Sequence, residues 1–83
     1  MIIRIRLFAT LQQYLPTGSA GCETSVDLPA GATVADALAA LSVPSTLAHI
    51  LFINGRHVLR SDLAVRQLAE GETLSVFPAI GGG

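Results

Sequence analysis

The sequence predicts an α+β roll: one mixed β-sheet covered on one face by a single main helix. Three features point there. Segments of alternating polarity open and close the chain, "MIIRIRLF" at 1–8 and "TLSVF" at 73–77; residues 29–44 carry a helical period; and Asn54-Gly55 interrupts an apolar run. Alternation marks a strand with one buried face, and a 3.6-residue period marks a helix with one buried stripe. Asn-Gly between apolar runs marks a tight hairpin. A single helix covers one face of one sheet, so the order β-β-α-β-β-short helix-β closes into two layers.

In "MIIRIRLF", Ile3, Ile5 and Leu7 fall on one side and Arg4 and Arg6 on the other, as in a half-buried strand. Leu11 and Leu15, four apart in "ATLQQYLP", suit a helical turn or two that Pro16 stops before the loop "TGSAG". "ETSVDLP" sets Thr24, Val26 and Leu28 on one face and closes at Pro29. In "PAGATVADALAALSVP", Val34, Leu38 and Leu41 form the buried stripe, Thr33 is the expected N-cap, Asp36 sits near the positive end of the dipole, and Pro44 marks the stop. "HILFINGRHVLR" runs into Asn54-Gly55 and returns as a strand centred on Val58. Ser61 or Asp62 is expected to cap a short turn in "SDLAVRQL", and "AEGE" is a turn. In "TLSVF", Leu74 and Val76 face one way and Ser75 and Phe77 the other. With Leu74 and Val76 under the helix, Phe77 is expected on the outer face, exposed beside the chain's last residues.

Composition excludes several classes of function. With 51% hydrophobic and 13% charged residues, the 83-residue chain folds as one domain and is not disordered. Net charge is −1, and Arg4, Arg6, Arg56, Arg60 and Arg66 are scattered singly, which leaves no electrostatic footprint for nucleic acid or an anionic membrane. All basic residues are arginine, so no side-chain amine exists to accept a lysine-linked copy of the chain. Cys22 is the only cysteine, which excludes an internal disulfide, a cysteine-ligated zinc site and a four-cysteine iron–sulfur cluster. It is read as a small apolar residue near a strand start, in a reducing compartment. No apolar run approaches the ~20 residues of a membrane span and no export signal is recognised, so the expected location is the cytoplasm. His49 and His57 have no third ligand in view, so no metal is expected. No acidic pair, Ser-His-Asp set or phosphate loop is placed for chemistry; the protein is expected to be a co-substrate rather than an enzyme, with no catalytic residue and no bound cofactor.

The ending "VFPAIGGG" asks for a different explanation. Gly81, Gly82 and Gly83 offer no side chain to bury and lose more freedom on ordering than any other residue. They are either a frayed terminus or an arm that enters another protein's narrow cleft and presents the Gly83 carboxylate unobstructed. The expected division is a domain over 1–78 and a flexible Gly-rich tail over 79–83, whose five residues span at most ~17 Å when stretched.

The element order, with "RLFATLQQYL", "GATVADALAAL", "FINGRHV" and "LSVFPAIGGG", resembles the MoaD/ThiS family of ubiquitin-like sulfur carriers over nearly the whole chain. The resemblance implies a β-grasp fold. It also implies an E1-like adenylating enzyme, in whose active site the tail carboxylate attacks the α-phosphate of ATP. A sulfurtransferase or other sulfur donor then displaces AMP and leaves a thiocarboxylate. By that likeness Gly83 is the residue adenylated and thiocarboxylated, Gly82 and Gly81 thread the tail, and Phe77, Pro78 and Ile80 dock the partner. Because the chain already ends on glycine, no protease would be needed. Ala79 stands where the molybdopterin-pathway carriers often have a second proline, and His57 or Val58 near a position where they tend to place an apolar docking residue. Length and "VFP" are most similar to the small subunit of molybdopterin synthase, whose tail inserts into a large catalytic subunit and supplies sulfide for the dithiolene that holds molybdenum or tungsten. Sulfur transfer to thiamine, tRNA or amino-acid precursors remains open, as do a protein modifier and a β-grasp interaction module with an incidental tail.

Overall fold

Alternating burial carries through the first strand, β1 (Ile2–Leu7), where Ile3, Ile5 and Leu7 are wholly buried and Ile2, Arg4 and Arg6 are exposed. The computed structural model describes residues 1–79. Around β1 lie β2 (Glu23–Asp27), α1 (Val34–Ala40), β3 (Ile50–Ile53), β4 (Arg56–Val58) and β5 (Thr73–Phe77). The sheet order is β2-β1-β5-β3-β4. β1 runs antiparallel to β2, with Ile3 opposite Val26 and Ile5 opposite Thr24, and parallel to β5, with Ile5 opposite Leu74 and Leu7 opposite Val76. A parallel pair cannot be joined by a tight turn, so the intervening chain crosses over the sheet and brings α1 onto its inner face. The core joins Ile3, Ile5, Leu7, Leu51, Ile53, Leu74 and Val76 from the sheet to Val34, Ala37 and Leu38 from α1.

α1 starts where the sequence indicates and stops sooner. The Thr33 hydroxyl accepts from the Asp36 N–H at 3.3 Å, and the Asp36 carboxylate accepts from the Thr33 N–H at 2.8 Å, a complete capping box. The helix ends at Ala40, well before Pro44. Ser42 takes φ +60°, its N–H bonds the Ala39 carbonyl, and the Val43 N–H bonds the Leu38 carbonyl. That Schellman arrangement satisfies the last carbonyls and returns Val43 to the core beside the C-terminal end of the helix; Pro44 then follows a stop already made.

The hairpin between β3 and β4 forms as expected, with positive φ at both Asn54 (+49°) and Gly55 (+82°), the type I′ geometry. Asn54 also exchanges two 2.9 Å hydrogen bonds with Thr73, through its N–H and its Oδ1, which ties the turn to β5. A 3-10 turn over Ala9–Tyr14 buries Leu11, and Leu15, just after it, is partly buried. Ser61 and Asp62 do not cap: they lie inside a 3-10 turn, Arg60–Asp62, whose N-cap position is Leu59. Instead the Asp62 carbonyl accepts from the Val65 and Arg66 N–H groups. No helix among the described residues is long and apolar enough to cross a membrane.

Candidate docking surface

The sheet face opposite α1 is divided by chemistry along the strands. Register places Arg6 between Glu23 and Ser75, and Arg4 between Ser25 and Thr73, so the end where β1 and β5 begin is polar. The Arg6 Nε donates to Glu23 Oε1 at 2.9 Å; that bond, and then the carboxylate charge, raises the already high pKa of the guanidinium and keeps it charged. The end where β5 finishes is apolar.

Phe77, the last residue of β5, anchors that apolar end. Phe8 stacks on it with ring centroids 4.3 Å apart and planes 4° from parallel, and Phe52 meets it edge-on at 5.9 Å and 87°. Ile50 lies directly opposite Phe77 and is 36% exposed. Leu51 pairs with Val58, so one step outward the register brings Leu59, 57% exposed, beside Ile50. His57 borders the cluster, its ring 5.7 Å from Phe52. Leu59 just past β4, Ile50 in β3, Phe77 in β5 and Phe8 just past β1 thus form one apolar row, with Phe52 behind it.

Local structure explains how Phe8 reaches this row. Its N–H donates to the Val76 carbonyl at 3.1 Å and its carbonyl accepts from the Leu11 N–H at 3.1 Å, so its backbone is held from both sides. Ala9 then turns the chain away with φ +53°, a left-handed conformation that costs a non-glycine residue roughly 1–2 kcal/mol. The burial of Leu11 and the bonds on either side of the bend hold it there. On the other side of β5, the Phe77 carbonyl accepts from the His49 N–H at 2.9 Å. Pro78 has no N–H to give, so the ladder loses a donor where the tail begins.

Of the residues expected from sequence, Phe77 lies in this surface, and Pro78, half-buried, follows it in the chain. Phe77 is half-buried rather than exposed, because Phe8 and Phe52 cover its ring. Val58 is buried in the core, and Leu59 is the exposed apolar side chain next to it. Ile80, Gly81, Gly82 and Gly83 fall outside the described residues. Phe8, Phe52, Ile50 and Leu59 were missed, although Phe8 continues the outward parity of Arg4 and Arg6.

Comparison with known proteins agrees with this fold. The ThiS family model matches residues 5–83. The crystal structure of SAMP1 from Haloferax volcanii is 30% identical with a TM-score of 0.70, each chain covered 100%. The H. volcanii small archaeal modifier protein 1 is 28% identical with a TM-score of 0.68, over 95% of this chain and 98% of that one. A putative molybdopterin converting factor subunit 1 from Pyrococcus furiosus, at 22% identity and TM-score 0.66 over 95% and 98%, shares the fold. No curated protein sequence matches. From the matched span, the mixed sheet with its single main helix, and the full-length likeness to SAMP1, this chain belongs to the ThiS family, ubiquitin-like β-grasp proteins that act as sulfur carriers or modifiers and not as catalysts.

Proposed function

We propose that this protein is a sulfur carrier, a domain over 1–78 with a tail over 79–83, activated at Gly83 in the cytoplasm. An E1-like enzyme joins the Gly83 carboxylate to AMP from ATP; a sulfur donor displaces the AMP and leaves a thiocarboxylate. Proteins of this family work with E1-like activating enzymes and sulfur-accepting partners. The observation that carries the reading is the apolar row through Phe77, from which the sequence continues into Pro78-Ala79-Ile80 and three glycines. The row offers a partner a dry platform, and glycines without Cβ atoms suit a narrow channel. Phe77, Pro78 and Ile80 dock, Gly81 and Gly82 thread, and Gly83 reacts. The protein holds no cofactor of its own in this reading.

The acceptor proposed first is the large catalytic subunit of molybdopterin synthase, on the strength of the "VFP" entry to the tail. A modifier reading, in which Gly83 ends in an isopeptide bond to another protein, is favoured by the name and full-length likeness of SAMP1. Both begin with the same adenylate. Intact mass after incubation with the activating enzyme, ATP and a sulfur donor tests the shared step. A gain of about sixteen mass units, one oxygen exchanged for sulfur, is expected, and its absence with a competent enzyme would overturn the carrier reading. Conjugates of higher mass that retain this chain would favour the modifier.

A further inference from the structure

We infer that a second copy of this chain packs on the outer sheet face about a two-fold axis along β5, in a reversible dimer that covers the apolar row. The dimer stands on the arrangement of the face alone; its consequence for activation rests on the reading of the row as a docking platform. β5 is the middle strand of five, and the strand register sets the outward side chains in rows that cross the sheet. From β2 to β4 the apolar row runs Gly21, Phe8, Phe77, Ile50, Leu59. The row behind it runs Glu23, Arg6, Ser75, Phe52, His57.

A two-fold along the middle strand keeps each row at its own height and exchanges its two ends. Phe77 of one copy then lies on Phe77 of the other, Phe8 on Ile50, and Leu59 above Gly21, where no side chain obstructs it. In the second row the Arg6–Glu23 ion pair of one copy meets the Phe52–His57 ring pair of the other. The guanidinium lies over Phe52, and the Glu23 carboxylate accepts from a ring N–H of His57. Apolar groups meet apolar groups, and no like charges in these rows face each other. A two-fold laid across the strands overlaps the apolar row alone. The sheet edges offer a copy nothing comparable: β4 has three residues, and pairing β2 edge to edge about Ser25 sets Glu23 opposite Asp27. Five strands, about six residues long, make a face of roughly 24 Å by 20 Å, near 500 Å² per copy. That is small for a specific interface, so the dimer is weak and exchanges readily. A copy so placed covers Phe77, which leaves the monomer as the form that an activating enzyme meets.

Glu23 and His57 lie at opposite edges of one sheet, four strand spacings or about 19 Å apart, and meet only between copies. The test is sedimentation equilibrium of the full chain from roughly 10 µM to 1 mM. Wild type is expected to rise toward twice the chain mass. His57→Glu sets carboxylates against each other at both ends of the interface and is expected to weaken the dimer about tenfold. Adding Glu23→Arg to that variant restores opposite charges and is expected to recover most of the loss. Wild type that stays monomeric throughout the range would overturn the inference. So would a His57→Glu variant that dimerises as wild type does, or a double variant that recovers nothing. Sedimentation needs no activating enzyme, so its failure strikes the dimer and leaves the carrier reading standing. An unchanged mass with a competent enzyme strikes the carrier reading and leaves the dimer.

Discussion

Phe77 receives restraint from three directions: a stacked ring from Phe8 just past β1, an edge from β3 and a backbone bond from His49. Phe77→Ala removes both aromatic contacts and is expected to lower unfolding free energy by about 1–2 kcal/mol in urea titrations. If the row is the docking platform, the same substitution raises the KM for adenylation more than it lowers kcat; an unchanged KM would remove Phe77 from the interface. Ser42 makes the opposite prediction. It holds a left-handed conformation that glycine adopts freely, so Ser42→Gly is expected to stabilise by roughly 0.5–1 kcal/mol, read as a higher urea midpoint. The outward direction of Phe77 was legible from the parity of "TLSVF". Its partners were not, because Phe8 and Phe77 come from opposite ends of the chain and meet only through the parallel pairing of β1 with β5.

α1 has seven residues, too few to persist alone, and depends on its cap and its buried stripe. Thr33→Ala breaks the capping box and is expected to cost about 1 kcal/mol by chemical denaturation, with the fold retained. At the hairpin, a Cβ on Gly55 meets nothing within 4 Å, so Gly55→Ala is a purely conformational change. With φ at +82° it is expected to cost roughly 1–2 kcal/mol. The start of α1 and the hairpin were legible because a Thr-x-x-Asp box and an Asn-Gly turn are settled by a few adjacent residues. The stop of α1 was misplaced at Pro44, since Ser42 in a left-handed conformation is a choice that local preference disfavours. Burial of Val43 makes it worthwhile. The supposed caps Ser61 and Asp62 failed for a related reason: the cap position is Leu59, two residues before Ser61 and three before Asp62, and backbone bonds alone close the turn.

At the scale of the molecule, one small core carries the stability, and β1 and β5 lie at its centre. Leu74 is wholly buried, and Leu74→Ala is expected to cost ~2–5 kcal/mol, a large share of the ~5–15 kcal/mol typical of a domain; a fall in thermal midpoint would register it. Removing Gly81 to Gly83 is expected to leave that midpoint unchanged and to abolish the mass gain on activation. Loss of folding instead would show that these glycines are not an arm. The sequence by itself determined the α+β class, the inner and outer parity of β1, β2 and β5, the helix start, the hairpin and the glycine run, because each follows from local period or from residues next to one another. Tertiary structure alone decided the sheet order, the aromatic packing that half-buries Phe77, and the row through Leu59, Ile50 and Phe8. Those depend on which distant strands lie side by side, and burial of the whole core, rather than any local preference, makes that choice.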